Sequence, residues 1–145
     1  MCAVTAEPVL AALKGAGVVV ALTFEADRFG GHLVTMVALL GRQGWTGFNV
    51  LDLVAPRSPR YAQEALARAI RGQLRGTELL VVAPEDFVLF KVLSTRDRDL
   101  EDAASVLRGL SGRLDLELVR TEGARLAAEI PDHPVQERLD ALLRR

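Results

Sequence analysis

Val81-Val82-Ala83-Pro84-Glu85-Asp86-Phe87-Val88-Leu89-Phe90-Lys91-Val92-Leu93 is the stretch at which the chain changes from strand to helix. Its first residues end a short run, 78–82, that is apolar from Leu79 onward and reads as a strand. Pro84, Glu85 and Asp86 then suit a first helical turn, where proline forgoes a donor the helix does not use and carboxylates meet free N–H groups and the positive end of the dipole. Residues 87–93 are apolar nearly all round, which predicts a buried helix. Downstream, the polar segment 94–102 leads into a helix ending near Leu110, with Leu100, Ala103, Leu107 and Leu110 facing the core. Helices are expected over 115–130 and 135–143, divided by Pro131 and Pro134, although Gly123 is a poor helix former inside the first of them.

Working upstream, strand-like runs at 18–24, 32–40 and 48–54 are separated by glycine-rich turns that include Gly41, Gly44 and Gly47. A hairpin-connected, mainly antiparallel arrangement follows for this part of the chain. A short helix over 5–14 precedes it, with Thr5 as N-cap, Pro8 in the first turn and Gly15 and Gly17 at its end. After the strands, Ser58 as N-cap and Pro59 as first helical residue open a helix expected to reach Arg71. Ala62, Ala65, Leu66, Ala69 and Ile70 make its apolar face, and Arg60, Glu64, Arg68 and Arg71 its solvated one. Gly72 and Gly76 flank a turn before the 78–82 strand. Strands concentrated in the first half do not fit a doubly wound fold, whose strands and helices alternate. The expectation is one α/β (α+β) domain over 1–145, helical from about residue 84.

Composition narrows the function. A chain of 145 residues can bury a single sizeable core, and 50% apolar with 26% charged residues is a globular balance. The net charge of −1 gives no general electrostatic reason to bind nucleic acid or a membrane. Arg57, Arg60, Arg68, Arg71 and Arg75 form a local basic group, but no aromatic residues are interleaved to stack bases. The longest apolar run, 18–24, is far shorter than a bilayer span, no secretion signal is recognisable, and Cys2 is the only cysteine, so a cytoplasmic setting is expected. Neither GxGxxG nor GxxxxGK[ST] occurs, and Ser58 and Ser94 have no obvious partner in His32 or His133. Carboxylates are the remaining chemistry.

The segment 81–102, with Pro84, Glu85, Asp86, Lys91, Arg96, Asp99, Leu100, Glu101 and Asp102 at matching positions, resembles the APED…LLKLLAGRxKDLEDA signature of small nucleotidyltransferase-like proteins. That superfamily includes the toxins of nucleotidyltransferase toxin–antitoxin systems. Arg98 stands where the family often has lysine. Phe48-Asn49-Val50-Leu51-Asp52-Leu53 looks like the family strand that carries its third active-site carboxylate, and 56–69 looks like the following TPFxxEALxRA helix. The resemblance spans residues 46–110 and implies an abbreviated nucleotidyltransferase-like mixed sheet followed by helices.

In such proteins a DxD pair and a third carboxylate hold divalent metal against nucleotide phosphates; alternate residues of a strand point to one face, so DxD can place both carboxylates beside Mg²⁺. Here the glycine turn, helix and DxD strand have no counterpart in the first 45 residues. Glu25 and Asp27 are the upstream carboxylates at the required spacing. The resemblance then assigns Glu25, Asp27 and Asp52 as catalytic and metal-holding, Lys91 and Arg96 as substrate-binding, and Asp99 and Asp102 as their support. With the N-terminal motif degenerate, the favoured expectation is a cofactor-free domain acting through protein contacts, as a homodimer or with a separately encoded partner. The alternative is a Mg²⁺-dependent transfer of a nucleoside monophosphate from NTP to an acceptor hydroxyl.

Overall fold

A computed structural model of the chain describes residues 6–42 and 49–144. Helix α1 (Glu7–Gly15) leads into strands β1 (Val18–Phe29), β2 (His32–Arg42) and β3 (Asn49–Pro56). They form one antiparallel sheet in the order β1-β2-β3. β1 continues five residues past the expected 18–24, carrying Glu25 and Asp27 into the strand. Thr5, Gly44, Gly47 and Phe48, which the sequence reading used as cap, turn or strand residues, lie outside the described residues, as do Cys2 and Trp45.

Ser58 caps helix α2 (Pro59–Ala67) as expected, accepting a hydrogen bond from the Tyr61 N–H at 3.1 Å. The helix ends four residues before Arg71, and this corrects the sequence reading. Residues Ile70–Leu74 are instead strand β4, paired antiparallel with β5 (Thr77–Val81). The cause is the tight turn at Arg75 and Gly76, whose φ values of 51° and 81° suit a two-residue hairpin loop that matches strand twist. Ile70 therefore belongs to a ribbon and not to a helix face. The expected mixed sheet is also corrected: every described pairing is antiparallel, in a three-stranded sheet and a separate two-stranded one.

Helices α3 (Pro84–Leu93), α4 (Asp97–Gly109), α5 (Leu116–Glu129) and α6 (Val135–Leu143) complete the chain close to their expected bounds. The result is an α/β fold with an N-terminal β-sheet region and a C-terminal helical bundle. α3 is the bundle's centre, with Val88, Leu89, Val92 and Leu93 all fully buried and packed among Leu100, Val119, Leu126, Leu139 and Leu142. Each large aliphatic side chain removed from water contributes about 1.5–3 kcal/mol. Among the described residues no helix is long and apolar enough to cross a membrane.

Gly123 proves to be a packing residue. A Cβ there would run into the side chain of Leu139, with Leu89 just beyond, so only glycine lets α5 and α6 approach this closely. Leu139 is completely buried and cannot swing into solvent. Gly123→Val is expected to destabilise the fold by about 1–3 kcal/mol through overpacking. Urea denaturation at neutral pH measures it, and an unchanged midpoint would contradict this account of the α5–α6 contact.

The sheet is attached to the bundle through the β1–β2 turn. The Gly31 N–H donates to the Leu93 carbonyl at 2.8 Å, satisfying an acceptor in the last turn of α3, and the Arg57 N–H donates to the Gly31 carbonyl at 2.8 Å. The Arg57 guanidinium adds a hydrogen bond to the Gly30 carbonyl at 3.0 Å and an ion pair with Asp132 at 2.9 Å. A side chain on Gly31 would strike Leu93, so the turn can seat only without one. Away from this anchor the sheet stands off from α3 and a cleft opens between them.

Candidate functional site

Alternation along the strands builds one wall of the cleft. Phe24, Met36 and Asp52 lie side by side across β1, β2 and β3, and Val34 with Val54 forms the next row of the same face. The opposite wall is Phe87, Phe90 and Lys91 of α3, with Ser94, Thr95, Arg96 and Asp99 at its end. The cavity measures about 590 Å³, within the range of small-molecule sites. Phe24, Phe29, Phe87 and Phe90 make much of it aromatic.

His32 is part of the floor. It is 7% exposed, its ring stacks on Phe90 with centroids 5.6 Å apart, and its Nε2 has no hydrogen-bond partner. Burial, reinforced by the neighbouring His133, lowers its pKa to about 4, so the ring is neutral at neutral pH. His133 is held differently, with its Nε2 donating to the Val92 carbonyl at 3.1 Å. Local pattern carries no signal for the environment of His32, because a histidine at a strand start is compatible with either face.

Lys91 lies at the cleft edge with its ammonium 2.7 Å from Asp99 and 2.9 Å from Asp102. Asp99 also takes the Arg96 guanidinium at 2.8 Å and a short hydrogen bond from the Ser94 hydroxyl. Burial works against both charges, yet these bonds hold Asp99 well below the usual carboxylate range and raise Lys91. Thus Lys91, Arg96, Asp99 and Asp102, singled out in the sequence, do come together. They form a self-satisfied ionic cluster in which each cation already has a carboxylate.

The three expected metal carboxylates do not assemble. Asp52 lines the cleft, whereas Glu25 and Asp27 are exposed on β1 outside its lining. A bulge explains the separation: Phe24 pairs with Met36 but Asp27 with Val34, so one extra residue sits between, and Ala26 adopts φ 53° with its N–H on the Thr35 hydroxyl. Regular alternation, on which the DxD geometry depends, is lost there. Among the described residues no group of three or more histidine, cysteine or acidic side chains is placed to hold a metal ion. Asp52 is moreover exposed. The cleft over this face of the sheet is what keeps it open.

A second correction concerns the arginines of α2, read as a solvated face. Arg68 makes a two-pronged bond to the fully buried Asp86, at 2.9 and 2.8 Å, and the Tyr61 hydroxyl donates to the same carboxylate at 2.9 Å. Arg60 reaches Glu64 and Glu122 at 2.9 Å and Glu129 at 2.7 Å. These ion pairs clamp α2 onto α3 and α5. They are structural ties and leave the basic group unable to act as a single free patch.

No protein-family model matches the chain, and no curated protein matches it in sequence. The class that fold and site define is an α/β protein with an antiparallel N-terminal sheet region, a C-terminal helical bundle and an aromatic-lined cleft between them.

Proposed function

We propose that this chain is a nucleotidyltransferase-like domain without a complete metal-binding carboxylate set, and that it acts through protein contacts, with a second copy of itself as partner. The observation that carries this reading is the β4–β5 ribbon. Ile70 and Leu74 of β4 share a face with Leu79 and Val81 of β5, and Ile70, Leu74 and Val81 are 51%, 62% and 40% exposed. An isolated two-stranded ribbon is marginal in water, and an apolar face with free edges invites another strand. Self-pairing of β4 about Gly72 sets Ile70 against Leu74 of the other copy and Arg71 against Gln73, so no like charges meet. Sedimentation equilibrium of the intact protein tests it. A concentration-dependent dimer that becomes monomeric in Ile70→Lys/Leu74→Lys supports the reading; a monomer throughout, or a dimer unaffected by the substitutions, removes it.

The transferase reading retains one supporting observation, that Asp52 and Lys91 line the same cleft. Calorimetric titration with each of the four NTPs and Mg²⁺ separates the two. Saturable heat abolished in Asp52→Asn would favour nucleotidyl transfer. The pairing of Lys91 with Asp99 and Asp102 argues for no such heat, because the lysine charge is already neutralised.

A further inference from the structure

The geometry points to the cleft between the sheet and α3 as a binding site for a small aromatic amine, its ring among the phenylalanines and its ammonium on Asp52. The site is independent of the ribbon and of any nucleotide chemistry. A cavity of about 590 Å³ fits a two-ring molecule, and Phe24, Phe29 and Phe90 with Met36 offer flat apolar surface to it.

Charge then selects the ligand. Lys91 and Arg96 are the cations at the cleft, and both are engaged by Asp99, with Asp102 also on Lys91. Asp52 lines the same space, and its carboxylate has no hydrogen bond or ion pair with the described residues; it exerts a longer-range attraction on Arg96. Asp99 meets both cations within the lining and Asp102 meets Lys91 from outside it, so among the described residues Asp52 is the lining carboxylate left without a close partner. His32 does not offset it, being neutral above about pH 4. A phosphate or carboxylate ligand would meet that charge unfavourably, while an ammonium would complete it. The phenylalanine faces reinforce the preference, since ring faces attract cations.

The test compares three indoles on the unmodified protein by calorimetry without added metal: tryptamine, the uncharged 3-ethylindole and anionic indole-3-propionate. Saturable one-to-one tryptamine binding is expected, with 3-ethylindole about two- to fivefold weaker and the anion weaker still, as an exposed ion pair predicts. Asp52→Asn should reduce tryptamine affinity to that of 3-ethylindole and leave 3-ethylindole unchanged; Val54→Trp should abolish both by filling the cleft. Equal affinity for all three ligands would overturn the charge assignment. Absence of saturable tryptamine binding to protein with a native circular dichroism spectrum would overturn the site itself.

Discussion

Arg68→Met is expected to lower the unfolding free energy by about 3–5 kcal/mol, the range for removing one partner of a buried ion pair. Asp86 is completely buried at the start of α3, and Arg68 supplies both of the charged hydrogen bonds to it. Without the guanidinium the Tyr61 hydroxyl alone remains, and a carboxylate out of water with one neutral donor is poorly compensated. Methionine keeps most of the stem's apolar contact, so the loss reports charge pairing and not a cavity. Urea unfolding followed by circular dichroism provides the number. The double variant Arg68→Met/Asp86→Leu should recover much of the loss, because it removes the stranded charge as well. A single-variant loss under about 1 kcal/mol would mean that water reaches Asp86 and that the pair behaves as a surface one.

The second large effect is a pH dependence. The folded state holds His32 neutral down to about pH 4, whereas the unfolded chain protonates it near 6.5. Between those values the unfolded state binds the extra proton, so stability is fully present above 6.5 and falls as pH drops toward 4. At roughly 1.4 kcal/mol per pH unit the complete loss is about 3 kcal/mol. Asp99, Glu122 and Glu129 are also depressed, despite burial that opposes it, by their hydrogen bonds to cations and serines. Their contribution has the same sign but disappears only as pH falls through and below the ordinary carboxylate range. The part of that window from 6.5 down to about 5 is therefore dominated by His32. Unfolding free energies measured across it should slope in the unmodified protein and be nearly flat in His32→Leu. Parallel slopes would show that His32 takes up its proton without leaving the folded state.

Both effects arise where side chains from distant parts of the chain meet, and this is also where sequence reading was weakest. Arg68 and Asp86 are each ordinary in sequence: one follows helical spacing on a polar face, the other suits a helix first turn. Their contact depends on how α2 lies across α3, which local pattern does not encode. The α2 boundary was misplaced for a related reason. Ala69 and Ile70 continue the helical periodicity, but the positive φ at Arg75 and Gly76 closes a hairpin that draws Ile70–Leu74 into a strand. Spacing likewise nominated Glu25 and Asp27 as paired carboxylates, and one bulge residue was enough to break the alternation behind that choice.

The sequence by itself determined the division of the chain into an N-terminal sheet region and a C-terminal helical part and most element positions. These follow from short-range rules: β-branched runs, proline and serine at helix starts, and three- and four-residue spacing on one helix face. Only the tertiary structure decided that Asp52 stands apart from Glu25 and Asp27, that Arg68 is an internal tie, that Gly123 is a contact point and that Phe24, His32 and Phe90 border one cleft. The cleft depends on the seating of the β1–β2 turn against Leu93, a contact made across 62 residues of sequence by a hydrogen bond from Gly31 that no local periodicity can register.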